Sequence, residues 1–304
     1  MSLSNTISKL FLVLIAFVCC HVIVARADSA PGPNASQARK ALTRIKQLEL
    51  KSSAVRVRSV TSNASVADVA ADIRLVFKFQ MGPDGRWRVS EIRTGQDRWE
   101  SIDLIAQALN ANINAECTAP DPPLKGKLVI DPSVRRTRCL LGSLFGIDVP
   151  SDAVRIQEVD PVPVPLASQP SASVVAWIRV DARMTNAQGG WQVSEMRTGS
   201  REWVRIDSLV AALDEQKRTR AQEELNLIAA ALDKFRRERG FYVVADKQSV
   251  AIDYLSPRYL QRVIRVDPWH QPYGYVGDRD RFTLRSSGPD GKADTPDDVV
   301  VSSR

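Results

Sequence analysis

A nine-residue pattern that occurs twice in the chain is the strongest constraint on its fold. Residues 87–95 read Trp-Arg-Val-Ser-Glu-Ile-Arg-Thr-Gly, and residues 191–199, which lie 104 positions later, read Trp-Gln-Val-Ser-Glu-Met-Arg-Thr-Gly. The agreement continues at the same offset through Trp99 and Trp203, Ile102 and Ile206, Asp103 and Asp207, and Leu109 and Leu213. Because chance rarely produces so many matches at one spacing, we predict that the two stretches are copies of one structural unit.

Each copy has the pattern of a β-hairpin followed by a short helix. In the first copy, apolar residues alternate from 73 to 79, a Gly-Pro-Asp-Gly turn follows at 82–85, and residues 87–93 form the returning strand. Apolar residues then recur at helical spacing from Trp99 to Leu109. Because each copy combines both patterns, we predict an α+β fold with two repeated β-hairpin-plus-helix units, each a small domain, at residues 53–115 and 153–215.

The polar residues that recur in both copies have two interpretations. Glu91 and Arg93, like Glu195 and Arg197, stand two positions apart on a predicted strand, so each pair faces one side of the sheet. They could pair with each other as part of the structure, or they could form a repeated surface for a ligand or partner.

The first 27 residues have the features of a signal peptide. An apolar run from Leu10 to Ala25 follows Lys9, and Ala25 and Ala27 place small residues at the positions that define cleavage. A retained membrane anchor is the alternative, but the run is shorter than the roughly 20 residues that a spanning helix needs. We therefore expect an exported protein, periplasmic or secreted, with a flexible mature N-terminus at residues 28–52.

Cys117 and Cys139 are the only cysteines outside this predicted signal peptide. Export would place them in an oxidising compartment, where unpaired thiols are unusual, so we predict a disulfide that staples a connector at residues 116–152. It would contribute about 3 kcal/mol through the unfolded state. Two buried reduced cysteines are the alternative, and the connector could instead supply extra strands to the first unit.

Composition and motifs argue against an enzyme and against nucleic-acid binding. The formal charge of +7 is modest, and the basic residues are interleaved with acidic ones, without a dense basic run beside aromatic residues. His270 is the only histidine beyond the predicted signal peptide, and no nucleophile elbow, zinc-ligand cluster or phosphate-binding glycine loop is present. We expect a protein that is not an enzyme, with a hydrolase whose site the sequence does not reveal as a remaining possibility.

The last part of the chain carries an ordered set of motifs. A helix with an apolar stripe is predicted to end at Gly240, and Phe241 and Tyr242 follow it. The chain then reads Asp-Pro-Trp at 267–269, a strand at 282–286, and Ser-Gly-Pro-Asp-Gly followed by paired aspartates at 287–298. Over residues 220–300 this order resembles the globular domain of the major pseudopilin (protein G) family of type II secretion. The resemblance implies a helix packed on an antiparallel sheet at residues 216–304.

The resemblance also implies a calcium site in the terminal loop. The candidate ligands are the carboxylates of four aspartates and an oxygen near one serine: Asp290, Asp294, Asp297, Asp298 and Ser287. Calcium binds six to eight hard oxygen atoms, which such a loop could offer from carboxylates, carbonyls and water. The spacing does not fit an EF-hand, and a solvated acidic tail is the alternative.

Three departures from the family pattern restrict the functional prediction. The chain lacks the prepilin leader, the residues before Leu225 are hydrophilic where the family has a long apolar helix, and His270 replaces the glycine usual after Asp-Pro-Trp. We therefore expect a calcium-binding structural or adaptor protein of the envelope, with protein partners in secretion or pilus machinery, rather than a filament subunit. The alternative is an envelope binding module that uses the duplicated units.

Overall fold

The structure is a computed structural model that describes residues 32–63, 65–109, 117, 132–160, 170–187 and 190–303. The predicted signal peptide at 1–27 and most of the connector sequence before residue 132 lie outside the described residues. Within those ranges, no helix is both long enough and apolar enough to cross a membrane.

The described chain alternates groups of strands with helices. The helices are α1 (Ala35–Leu42), α2 (Ile102–Ala108), α3 (Val134–Phe145), α4 (Ile206–Arg239) and α5 (Gln248–Leu255). The strands of the first part are β1 (Val55–Asn63), β2 (Val66–Met81), β3 (Trp87–Arg93), β4 (Trp99–Ser101), β5 (Val154–Asp160), β6 (Ser171–Ala187), β7 (Gly190–Arg197) and β8 (Val204–Arg205). The last strands are β9 (Gly274–Gly277), β10 (Phe282–Ser286) and β11 (Val299–Ser302). The predicted α+β class is confirmed.

Strands β1 to β8 form one antiparallel sheet. Its centre is the long pair β2 and β6, which runs from Val66 opposite Thr185 to Gln80 opposite Ser171. The other edge of β2 pairs with β1 and β3, and the other edge of β6 pairs with β5 and β7. The two stretches therefore share a sheet instead of forming two separate small domains, because pairing β2 with β6 satisfies backbone edges that each would otherwise expose.

One face of this large sheet is buried. Along β2 and β6 every second residue is buried, from Ala67 to Phe79 and from Ala172 to Met184, as the two-residue period of a strand requires. These side chains share one apolar core with residues of α1 and α3. The outward side chains of β2 and β6 are partly or fully exposed, except that of Asp72.

Helix α1 is a correction to the predicted flexible N-terminus at 28–52. Asn34 accepts a hydrogen bond from the Gln37 backbone, and the Gln37 side chain accepts one from the Asn34 backbone, which forms a capping box. Ala38, Ala41 and Leu42 are buried in the core of the large sheet. The helix forms because this short apolar face has a sheet to pack on.

The predicted pairing of Cys117 with Cys139 is confirmed, since the two residues form a disulfide with a Cα–Cα distance of 5.7 Å. Cys139 lies on α3, within the region predicted as a connector, and both cysteines contact the core of the large sheet. The disulfide therefore ties the end of the predicted connector to the folded part of the chain.

Helix α4 joins the two parts of the molecule. We predicted separate elements on either side of a boundary at residue 216, but the helix runs without a break for 34 residues and ends where Gly240 adopts a left-handed conformation. Its C-terminal half packs on the sheet β11-β10-β9 around a second core that includes Leu225, Leu232 and Leu284. The helix continues because its N-terminal half also has buried positions.

Candidate functional site

The Asp-Pro-Trp turn is held by one buried carboxylate. Asp267 Oδ1 accepts hydrogen bonds from the backbone N–H groups of Trp269 at 3.0 Å and Gln271 at 2.9 Å. The Ser286 hydroxyl donates to the other oxygen. Burial raises the pKa of Asp267 despite these hydrogen bonds. Because Ser286 ends β10, this carboxylate joins the turn to the start of the terminal loop.

The terminal loop is folded by its own aspartates. Asp297 Oδ2 accepts from the Asp290 backbone N–H at 3.3 Å, and Asp298 Oδ2 accepts from the Asp294 backbone N–H at 2.9 Å. The hydrogen bond from the Thr295 hydroxyl lowers the pKa of Asp297. Gly288 has φ 60°, and a Cβ atom there would lie 2.6 Å from the Asp297 carbonyl oxygen. The loop is therefore compact, with a backbone that only glycine accommodates at 288.

Arg285 shares this loop with the predicted ligands. Its guanidinium lies 2.7 Å from Asp294 Oδ1 and 3.5 Å from Asp298 Oδ2. Across the described ranges, no three His, Cys, Asp or Glu side chains converge closely enough to enclose a metal ion. The oxygen chemistry of the loop fits calcium, but in this arrangement Arg285 neutralises two of the carboxylates. Calcium would have to compete with Arg285 for Asp298.

A buried charge cluster joins the large sheet, α4 and the C-terminal domain. Lys217 Nζ lies 2.7 Å from Glu100 Oε1, and the two side chains are only 3% and 5% exposed. His270 Nε2 lies 3.4 Å from the same oxygen. Burial raises the pKa of Glu100, but the hydrogen bond from His270 and the charge of Lys217 lower it overall. The ionised carboxylate is therefore the form that this cluster stabilises.

This junction also includes His270, the residue that stands where the resemblance predicts a glycine after Asp-Pro-Trp. His270 has φ 68°, a conformation that favours glycine. Its neighbour Trp269 donates its indole N–H to Asp214 Oδ1 at 2.9 Å, and Gln47 donates to the same oxygen at 3.1 Å. The turn therefore reaches α4 and the large sheet through two adjacent side chains. We did not predict this junction, because Asp214 and Lys217 lie in a stretch of the sequence that looks fully hydrated.

An apolar cavity of about 330 Å³ lies between α2, the first turns of α4 and the large sheet. Its lining includes residues that stand 104 positions apart: Ile92 and Met196, Ile102 and Ile206, Ile105 and Leu209, Leu109 and Leu213. The end of α3, with Leu144 and Phe145, completes the wall. Both copies of the repeated pattern thus contribute to the cavity.

The comparisons with known proteins agree with the C-terminal motifs. Residues 208–303 match the family described as type II secretion system (T2SS), protein G. No curated protein and no solved structure matches the chain. The match begins within α4 and includes α5, the three-stranded sheet and the terminal loop. The last third of the chain is therefore a pseudopilin-like domain of the type II secretion protein G family.

Proposed function

We propose that this protein is an exported structural or adaptor protein of the cell envelope that contacts type II secretion or pilus components through its pseudopilin-like domain. The observation that carries the proposal is the family match at residues 208–303, on a part of the chain that has its own core. Proteins of the type II secretion family act on the periplasmic side, which agrees with the predicted signal peptide at 1–27. Protein partners in that machinery are the corresponding proposal.

The N-terminal half of α4 supports an adaptor rather than a filament subunit. Leu213 and Lys217 are buried there, and Lys217 pairs with Glu100 of the large sheet. A helix whose surface is already occupied by its own chain has less surface to offer to neighbouring subunits. The domain is therefore presented at the end of a fixed helix, with the large sheet as its support.

Capture of partners by the full chain tests the adaptor role. The proposal expects in-cell cross-linking and affinity capture to enrich secretion or pilus components. Val244 and Val276 are exposed on the C-terminal domain, so Val244→Asp with Val276→Asp should reduce the enrichment. Val134→Asp, at an exposed position of α3, is the matched control. Enrichment that survives the double variant and is lost in the control would contradict the proposal.

We also propose that the terminal loop binds calcium through Asp290, Asp297 and Asp298, with carbonyl oxygen from the region of Ser287 and a lesser role for Asp294. The support is that backbone hydrogen bonds link Asp290 with Asp297 and Asp294 with Asp298 in one compact loop, and that their oxygens suit a hard cation. Bound calcium would stabilise the loop, because an ion that binds only the folded state shifts the unfolding equilibrium.

Calorimetry and thermal unfolding test the calcium proposal. At about 100 times its dissociation constant, calcium adds about 2.7 kcal/mol, which predicts a Tm increase of roughly 5 °C or more over the chelator-treated protein. Asp297→Asn with Asp298→Asn should abolish the increase, whereas Asp278→Asn with Asp280→Asn, in another exposed loop, should retain it. Arg285→Gln should tighten binding. Equal Tm values in calcium and chelator would refute the proposal.

The apolar cavity favours a second candidate function, in which the duplicated stretches form a binding module. We infer that these stretches are copies, since Ile73 lies opposite Ile178 at the centre of the β2–β6 pair and the flanking strands are arranged alike on both sides. An apolar cavity lined by both copies could take an alkyl chain. Cis-parinaric acid fluorescence should then rise on binding, and Ile105→Trp should prevent it while the exposed Leu227→Trp should not. No fluorescence change would exclude this alternative.

A further inference from the structure

The outward face of the large sheet carries a cluster of basic side chains. Strand alternation places eleven basic side chains on this face: Arg56, Arg58, Arg74, Lys78, Arg88, Arg93, Arg155, Arg179, Arg183, Arg197 and Arg205. The same strand registers place seven acidic residues on this face: Asp68, Asp72, Glu91, Glu158, Asp160, Asp181 and Glu195. Basic residues therefore outnumber acidic ones by four on this face, and the formal charge of the whole chain is +7.

Six of the eleven basic side chains on this face already pair with carboxylates. Asp72, which is nearly buried, lies between Arg58 and Arg179, while Arg183 bridges Asp68 and Glu195. Arg197 pairs with Asp181, Lys78 pairs with Glu91, and Arg88 pairs with Asp84 of the neighbouring turn. These pairs hold the surface in a fixed arrangement, so that its free charges have defined positions.

Five arginines of this face have no carboxylate partner among the described residues. They are Arg56, Arg74, Arg93, Arg155 and Arg205, and all five are exposed. Arg74 stands opposite Trp177 in the β2–β6 register, and the Arg56 guanidinium lies 3.9 Å from the centre of the same indole ring. Two of the five, Arg56 and Arg74, therefore lie beside Trp177 near the middle of the sheet.

Tryptophans on this face are stacked with arginines. Besides Trp177 under Arg56, the Trp203 ring lies between Arg183 at 4.4 Å and Arg197 at 4.6 Å. Stacking restricts each guanidinium, so less conformational entropy remains to be lost when its N–H groups bind a carboxylate. Arginine and tryptophan are also the residues that dominate the energetic centres of protein–protein interfaces.

We propose that this face, which we name the arginine face, is the docking surface for a protein that presents clustered Asp and Glu side chains. Guanidinium groups match carboxylates in bidentate geometry, and the five arginines without a carboxylate partner are exposed and can be reached by a partner protein. The proposal does not depend on calcium or on the pseudopilin-like domain.

The same observations disfavour two other polyanionic partners. A membrane surface needs exposed apolar side chains to insert, whereas Val66 is the one large aliphatic residue of β2 or β6 that is exposed on this face of the described chain. A single-stranded nucleic acid binds by stacking bases on aromatic rings, but arginines already lie against the rings of Trp177 and Trp203.

Three probes and two matched variants test the proposal on the full chain. The probes are poly-L-glutamate, single-stranded DNA and phosphatidylglycerol vesicles, compared at low salt, where charge interactions are weakly screened. The face variant combines Arg56→Gln, Arg74→Gln and Arg155→Gln. The control variant combines Arg218→Gln, Arg237→Gln and Arg239→Gln on the exposed side of α4, and it removes the same total charge. Thermal unfolding checks that both variants remain folded.

The expected result is that poly-L-glutamate binds the native chain most tightly of the three probes. The face variant should weaken this binding by about tenfold or more, as for the centre of an interface, and the control variant by less than about twofold. If both variants weaken poly-L-glutamate binding equally, binding depends only on the net charge of the protein, and the proposal is overturned. Tighter binding of DNA or vesicles, or no binding of poly-L-glutamate, would overturn it as well.

Discussion

The two halves of α4 are packed by different forces. Besides apolar residues such as Ile206 and Leu213, the N-terminal half contacts the rest of the chain through Lys217 and Asp214, which bind Glu100, Trp269 and Gln47. The C-terminal half buries an apolar stripe of alanine, leucine, isoleucine and phenylalanine on the small sheet, beside the buried Glu224. Hydrogen-bonded charges cost desolvation but require one geometry, whereas apolar burial stabilises many arrangements. The comparison indicates that the polar half sets the orientation of the domains, and the apolar half supplies stability.

The largest effect is expected at the polar half. Glu100→Gln leaves Lys217 buried without a charged partner, so we expect the free energy of unfolding to fall by about 3–5 kcal/mol. Urea unfolding measures the change. Lys46→Gln is the matched control, because the Lys46–Asp207 pair is exposed and should contribute less than about 1 kcal/mol. If Glu100→Gln lowers the free energy of unfolding by less than about 1 kcal/mol, the two halves of α4 do not differ in the way proposed.

The apolar half offers a test on one helix. Leu232 is fully buried, and Leu232→Ala should lower the free energy of unfolding by about 2–5 kcal/mol through lost burial and a cavity. Leu227 is 55% exposed on the same helix, so Leu227→Ala should change it by less than about 0.5 kcal/mol. Similar losses in both variants, measured by urea unfolding, would mean that the apolar stripe is not the stabilising surface.

Two replacements of His270 separate the free-energy cost of its left-handed backbone from the contribution of its contact with Glu100. His270→Ala removes the contact with Glu100 but keeps a Cβ atom at φ 68°, whereas His270→Gly also relieves the backbone. We expect the glycine variant to be more stable than the alanine variant by about 1 kcal/mol. Thermal unfolding of the two variants gives the comparison, and a less stable glycine variant would contradict the assigned conformation.

The pH dependence of stability gives a graded test of the same cluster. The folded state lowers the pKa of Glu100 below its usual 4.5, so its contribution is present above pH 4.5 and is lost as the pH falls through the lower folded pKa. Urea unfolding at a series of acidic pH values should show this decline, and Glu100→Gln should flatten it. An identical slope in the variant would assign the decline to other carboxylates.

Much of the local structure could be predicted from the sequence. The hairpin of β2 and β3, the apolar stripe on α4 and the Asp-Pro-Trp motif follow from short-range patterns, since strand and helix periods constrain nearby residues. The disulfide followed from the number of cysteines and the predicted export. The length of α4 and the helix α1 could not be predicted. Their buried faces are completed by residues far away in the chain, which no local window contains.

The sequence by itself determined the fold class, the cysteine pair and the family of the C-terminal domain. Only the tertiary structure decided that β2 pairs with β6, that Lys217 is buried, and that arginines spaced through seven strands meet on one face. The physical reason is that alternation tells which side of a strand a residue takes, but not which strand lies beside it. Which strands are neighbours in a sheet follows from the packing of the whole chain. The same packing brings together Glu100, Lys217 and His270 and assembles the arginine face.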